Sequence, residues 1–120
     1  IVTGGYGFIG SNLIASLIKK KYFVINVDKL SYSSNKYNLK NLNLKNYIFY
    51  KIYLNEKNKI IKLLKKYKPS AIFNLAAETH VDRSIDSPKP FIKSNINGVY
   101  NLLEAVRNYL KTKNIYTLFY

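Results

Sequence analysis

The chain has 120 residues, enough for one compact domain and too few for two. Lys and Arg total 20 against 6 Asp and Glu, a formal charge of +14, and the absence of cysteine excludes disulfides and thiolate metal sites. No basic-then-apolar signal segment opens the chain and no apolar run approaches the roughly 18 residues of a membrane span, so the expectation is a soluble cytoplasmic protein with no membrane partner. The charge does not point to a specific nucleic-acid partner. Only Arg83 and Arg107 are arginines, whereas specific readers favour the arginine fork. The lysines are scattered among Asn, Ile and Tyr, all residues with AT-rich codons.

In chain order, Ile1-Val2-Thr3 reads as the end of a buried strand running into glycines. Phe8 to Lys21 repeats Ile9, Leu13, Leu17 and Ile14, Ile18 at helical spacing. Tyr22 to Val27 is β-branched and aromatic, a second strand, followed by a polar loop from Ser31 to Asn35. Leu39, Leu42 and Leu44 suggest a short helix, and Tyr47 to Ile52 a third strand. Asn55 is placed to cap a helix reaching Tyr67 with Ile60, Ile61, Leu63 and Leu64 as its apolar stripe. Ala71 to Leu75 reads as a fourth strand. Ala76 to Pro90 reads as a loop, with Pro88 and Pro90 holding it out of helix. A long helix is expected from Phe91 to Lys111, and Ile115 to Tyr120 has strand composition.

This alternation predicts an α/β fold: a parallel sheet in the order 3-2-1-4, the first half of a doubly wound Rossmann-type fold, with a fifth strand just beginning. Both ends look cut. The expectation is a single incomplete dinucleotide-binding domain over residues 1–120, with no substrate domain.

Gly4, Gly7 and Gly10 form G-x-x-G-x-x-G between the first strand and the first helix, where a pyrophosphate meets backbone N–H groups and the positive end of a helix dipole. Gly4 is expected to allow the tight turn, Gly7 to let the phosphates approach, and Gly10 to pack the helix on the sheet. Asp28 ends the second strand, 18 residues past Gly10, where an acid binds the adenosine ribose hydroxyls. A carboxylate there repels a 2′-phosphate and favours NAD over NADP, a preference that Lys29 beside it softens. After the fourth strand, Leu75-Ala76-Ala77-Glu78-Thr79-His80-Val81-Asp82-Arg83 sets small residues and then polar ones in a loop expected to face the ligand.

The fingerprint T-G-G-x-G-x-x-G resembles the extended short-chain dehydrogenase/reductase family. The run AAETHVDRSI, followed by Pro88, Phe91, Ser94-Asn95-Ile96, Gly98 and Leu102-Leu103-Glu104-Ala105, is similar to the dTDP-glucose 4,6-dehydratases, as is Asp28-Lys29-Leu30-Ser31-Tyr32. Epimerases and decarboxylases of sugar nucleotides share the glycine loop but usually lack the polar run. The resemblance implies a lyase of nucleotide-sugar metabolism, on the route to dTDP-rhamnose. Such an enzyme oxidises dTDP-glucose transiently at C4 with NAD, eliminates water and leaves a 4-keto-6-deoxy sugar.

By position, the resemblance places Phe8 and Ile9 at the NAD pyrophosphate and Asp28, Lys29, Leu30 and Ser31 at the adenosine ribose. It assigns Leu75, Ala76, Ala77, Glu78 and Thr79 to the cofactor wall and Ser94 to the nicotinamide side. Tyr53-Leu54 stands where the family usually has Asp-Ile, with the Asp reaching the adenine, so Tyr53 cannot supply that carboxylate. Thr79, His80 and Arg83 are the candidate sugar-nucleotide contacts. His80 is expected to support the loop rather than act as a base, and Asp82 with Arg83 is either a local ion pair or part of the substrate site.

The family's chemistry also requires a Tyr-x-x-x-Lys pair on the helix after strand five, with the lysine lowering the tyrosine pKa. The spacing occurs at Tyr32/Lys36, Tyr47/Lys51, Tyr53/Lys57 and Tyr109/Lys113, none in that context, so no catalytic residue is assigned. The expectation is a chain inactive by itself, within a longer enzyme that works as a homodimer.

Overall fold

A computed structural model describes residues 1–111 and 117–120. Its strands are β1 (Val2–Thr3), β2 (Val24–Asp28), β3 (Tyr47–Lys51), β4 (Ala71–Asn74) and β5 (Leu118–Phe119). They form one parallel sheet in the order β3-β2-β1-β4-β5, as the alternation predicts. β2 is hydrogen-bonded on both sides, and all five of its residues are buried, Asn26 and Asp28 included. Of the strand expected over Ile115 to Tyr120, Leu118–Phe119 pairs in the sheet, while Ile115 and Tyr116 lie outside the described residues.

The described residues divide into two compact units. The first holds residues 1–52, 71–76 and 119–120. Here helix α1 (Phe8–Lys19) packs on β1 and β2, with Ile14 fully buried among Val2, Tyr6, Val24 and Leu39. α1 ends two residues before the predicted Lys21. Lys21 adopts φ 64°, its N–H donates to Ile18 O at 2.9 Å, and the Tyr22 N–H reaches Leu17 O at 3.1 Å. That pair of bonds is a Schellman closure. It consumes Tyr22 and leaves Tyr22 and Phe23 exposed, so β2 starts at Val24 rather than at Tyr22. The expected Leu39–Leu44 helix is two short 3-10 turns, Lys36–Leu39 and Leu44–Asn46.

The second unit holds residues 53–70 and 77–118. Helix α2 (Lys57–Tyr67) packs on helix α5 (Val99–Lys111). α2 buries Ile60, Leu63 and Leu64, and α5 buries Leu102, Ala105, Val106 and Tyr109. Glu104 of α5 takes both Arg107 Nε and a terminal guanidinium nitrogen, at 2.6 and 2.8 Å, and Lys57 of α2 at 3.7 Å.

Two expectations fail in this unit, and one feature was not foreseen. Asn55 does not cap α2: its amide donates to Lys93 O at 3.2 Å and its oxygen accepts from Asn101 at 2.9 Å, while Glu56 takes the N-cap position. The 76–90 segment is not all loop, for it contains helix α3 (Val81–Asp86) and the single turn α4 (Lys89–Phe91). Pro90 sits in that first turn, where a missing N–H has no intrahelical acceptor to lose, so proline starts the helix here instead of preventing it. Between α4 and α5 the helix widens to π geometry over Ile92–Gly98, which apolar periodicity does not reveal.

Lys21 carries a side chain at a left-handed C-terminal position that favours glycine. Lys21→Gly is expected to stabilise the chain by about 0.5 kcal/mol, the left-handed penalty relieved less the extra entropy of an unfolded glycine. Lys21→Ala, which keeps the penalty, is expected to give no gain. Urea midpoints of the three chains check this.

Candidate functional site

The glycine loop closes on its own backbone. Gly4 has φ +66°, and its N–H donates to Val27 O at 2.9 Å, pinning the turn to β2. A Cβ on Gly4 would lie 2.7 Å from Ala76 Cα and from Leu75 O, so the chain leaving β4 runs directly against the turn. Thr3 fixes that stretch: its Oγ1 donates to Asn74 Oδ1 at 2.6 Å and accepts from the Ala76 N–H at 3.3 Å. Gly10 meets the loop itself rather than the sheet, since a Cβ there would fall 2.3 Å from Gly4 O and 2.8 Å from Gly5 Cα. Gly5, which the sequence pattern treats as variable, has no more room, with Asn26 Oδ1 2.1 Å from its virtual Cβ.

Gly7 differs from Gly4, Gly5 and Gly10. Its virtual Cβ meets only Gly4 O, at 3.2 Å, and its backbone is extended at φ −73°. A Cβ here would need that carbonyl to give by a few tenths of an ångström, a smaller displacement than Gly4, Gly5 or Gly10 would demand. Gly7 is also the N-cap of α1, no side chain caps the helix, and its first turn holds no acid. The amides of Phe8, Ile9 and Gly10 consequently have no intrahelical acceptor. Phe8 and Ile9 are 82% and 67% exposed at this mouth.

Asp28 stands at the end of β2, in the same unit, 5% exposed. Its Oδ2 accepts the Tyr6 N–H at 3.0 Å; its Oδ1 accepts the Leu30 N–H at 2.7 Å and the Ser34 hydroxyl at 2.9 Å. The acid is thus tied directly to the glycine loop, and one lone pair on Oδ2 remains for a further donor. Leu30 is bent to φ 60° by this turn, a left-handed conformation unusual for a branched side chain. Lys29 and Ser31 flank it half-buried, and Ser31 shares a hydroxyl contact with Ser33 at 2.9 Å. Gly4, Gly7, Phe8, Ile9, Gly10, Asp28, Leu30, Leu75 and Ala76 therefore lie together in the first unit.

The remaining sequence candidates belong to the second unit. Glu78 is held by Asn95 through a reciprocal pair: the Glu78 N–H donates to Asn95 Oδ1 at 2.8 Å, and the Asn95 amide donates to Glu78 O at 2.9 Å. This pair fixes the 77–80 segment to the π turn that carries buried Ser94. Asn95 is a positioning residue to which the sequence assigned no role, although it stands in the Ser94-Asn95-Ile96 run. Ala77, Thr79, His80 and Arg83 are exposed. His80 holds the N-cap position of α3, and its carbonyl accepts the Ser84 N–H at 3.1 Å. Leu54 is buried beside Gly98. The Tyr53 N–H donates to the Glu56 carboxylate at 3.0 Å, and the Lys93 ammonium lies 5.4 Å from the Tyr53 ring centre.

The family model described as GDP-mannose 4,6 dehydratase matches residues 1–120. The chain belongs to this family. Within the GDP-mannose 4,6 dehydratase family, its curated relatives include dTDP-glucose 4,6-dehydratases, as the HVDRSI and DKLSY runs suggest. That of Haemophilus influenzae is 46% identical over 93% of this chain, and that of Escherichia coli 42% over 91%. The chain spans about a third of their length, 34% and 31% respectively.

Among solved structures, the Streptomyces venezuelae dTDP-glucose 4,6-dehydratase, crystallised with NAD, matches with a TM-score of 0.83 at 32% identity, covering 90% of this chain and 35% of that one. UDP-glucose 4-epimerase from Thermotoga maritima matches with a TM-score of 0.80 at 38% identity, again over 90% of this chain, and 33% of its own. The fold is thus the Rossmann-like domain that dehydratases and epimerases share.

The middle and last glycines of the G-x-x-G-x-x-G repeat are expected to behave differently. Gly10→Ala drives a methyl into backbone and destabilises the chain by about 3 kcal/mol or more. Gly7→Ala changes stability by less than about 1 kcal/mol. Chemical unfolding followed by circular dichroism separates the two.

Proposed function

We propose that this chain is the NAD-binding domain of a dTDP-glucose 4,6-dehydratase and that the first unit holds the dinucleotide's diphosphate and adenosine ribose. The observation that carries this reading is the uncapped start of α1 at Gly7, with Asp28 tied to the same loop. The residues fit the cofactor. Free amides of Phe8, Ile9 and Gly10 and the helix dipole offset the diphosphate charge. The remaining Asp28 lone pair accepts a ribose hydroxyl, and its charge disfavours a 2′-phosphate. Ala76, held by Thr3, offers a flat wall without a bulky side chain. NAD, when bound, supplies the hydride acceptor for sugar C4 and the donor for C6.

In the second unit we assign Ala77, Glu78, Thr79 and Ser94 to the cofactor and Thr79, His80 and Arg83 to the sugar nucleotide, on the strength of the HVDRSI resemblance. Tyr53 presents a ring where the dehydratases present a carboxylate, so adenine contact there is by stacking. The cytoplasmic location and the homodimer belong to the same proposal for the whole protein. The likeness to UDP-glucose 4-epimerase supports a second reading, a C4 epimerase of a sugar nucleotide. The two are separated by the product that the whole protein forms from dTDP-glucose, a 4-keto-6-deoxy sugar for the dehydratase and a C4 epimer for the other.

Calorimetric titration of the chain tests the cofactor assignment. NAD is expected to bind at least about tenfold more tightly than NADP, since a few kcal/mol of charge repulsion is available at contact with Asp28. Gly7→Ala is expected to weaken NAD about tenfold or more while the unfolding midpoint stays in place. Equal binding of NAD and NADP, or wild-type affinity in Gly7→Ala, defeats the assignment.

A further inference from the structure

The side chain in the middle of the glycine loop turns inward. Tyr6 is buried, its ring meeting Phe49 edge-on with centres 5.0 Å apart. Its hydroxyl accepts from the Tyr47 hydroxyl at 3.0 Å, which in turn accepts from the Asn26 amide at 2.9 Å. Asn26 is fully buried on β2, and its Oδ1, without a hydrogen-bond partner among the described residues, lies directly beneath Gly5. Burial pushes the Tyr47 hydroxyl well above the usual tyrosine range, so it remains a neutral donor. The main chain of Tyr6 is held as well: its N–H by Asp28, and its carbonyl by the Asn35 N–H at 2.9 Å.

Phenylalanine at 47 would fill nearly the same space. Burying a hydroxyl and an amide here is offset only by the bonds they make to one another and to Tyr6. Those bonds end on a loop residue flanked by Gly5 and Gly7, and such a buried polar chain is rigid when its members are tied.

We propose that Tyr47 and Asn26 are positioning residues for the glycine loop: their hydrogen-bond chain anchors Tyr6 from below and keeps the turn shaped to present the α1 amides to a dinucleotide diphosphate. The proposal rests on the NAD-binding reading above. Neither residue belongs to the open face of the loop; both act through Tyr6.

The test compares the wild-type chain with Tyr47→Phe, Tyr6→Phe and the double variant, by NAD calorimetry and by amide hydrogen exchange. Each single variant is expected to weaken NAD binding about fivefold, the order of one neutral hydrogen bond, and the double variant no further. The hydrogen-bonded amides of Tyr6 and Gly7 are expected to exchange faster in Tyr47→Phe, while those of Ile25 and Val27 in β2 keep their rates. Unchanged exchange in the loop overturns the proposal, and so does uniform acceleration through the sheet, which marks a purely structural role. Additive losses in the double variant also overturn it. If the wild-type chain binds no NAD, the cofactor assignment falls instead, and the exchange comparison still decides the anchoring.

Discussion

Backbone lies on backbone where α1 begins. Gly10 sits so close to Gly4 and Gly5 that a single methyl would have to occupy the space of a carbonyl oxygen. Gly4 in turn touches the chain leaving β4 and hydrogen-bonds to β2. Three chain segments therefore converge without side chains between them. This close approach puts the start of the helix at the C-terminal ends of β1 and β4, with no side chain capping its first turn. Solved dTDP-glucose 4,6-dehydratases of Streptomyces venezuelae and Bacillus anthracis carry NAD, and in the proposed reading the same contact that makes the fold possible also leaves room for the diphosphate.

Asp28 couples the two demands differently. An acid at a strand end needs only solvent to be tolerated, yet this one is buried and accepts three hydrogen bonds from the protein. Each bond has a structural consequence: the Tyr6 N–H ties the glycine loop to β2, the Leu30 N–H bends the chain into a left-handed residue, and the Ser34 hydroxyl closes the following loop. Removing the carboxylate would orphan buried donors as well as remove the proposed ribose contact. Loss of NAD binding in an alanine variant at 28 would thus mix folding with recognition, whereas Gly7 separates them better, because a Cβ there would press on Gly4 O alone.

The sequence makes the first unit readable because its constraints are local. A glycine repeat between a strand and a helix, and an acid at the end of the next strand, have few physical solutions, and strand order follows from handed crossovers. Gly5 escaped notice because its constraint comes from Asn26, which is distant in sequence and buried by tertiary packing. The second unit was less legible for a similar reason. Pro88 and Pro90 read as helix breakers because proline is usually disfavoured inside a helix, but a first turn makes no demand on the N–H. The Asn95–Glu78 pair joins segments 17 residues apart, which no periodicity encodes, and the π turn over Ile92–Gly98 leaves no mark in the apolar spacing. The Tyr-x-x-x-Lys spacing shows the converse, local pattern without context. Tyr47/Lys51 lies on β3, where residues four apart do not meet as on a helix and Tyr47 is already engaged with Tyr6, and Lys113 lies outside the described residues.

The charge of the chain adds a last physical tension. At +14 its long-range field attracts any polyanion, and attracts NADP more than NAD because NADP is the more negative. Global charge and the proposed cofactor preference therefore pull in opposite directions. Distance resolves them. The scattered lysines act through water and salt, where attraction decays over about 8 Å at physiological ionic strength. Asp28 acts at contact, from a buried position fixed by three hydrogen bonds, where a like charge about 4 Å away costs on the order of a few kcal/mol. Lys29, half-buried beside it, reduces that cost without removing its source, since the amides of Tyr6 and Leu30 fix the carboxylate in place. Selection in the proposed site is thus set by one anchored acid against the sign of the whole surface, and raising salt should sharpen the preference for NAD as the lysines are screened and Asp28 is not.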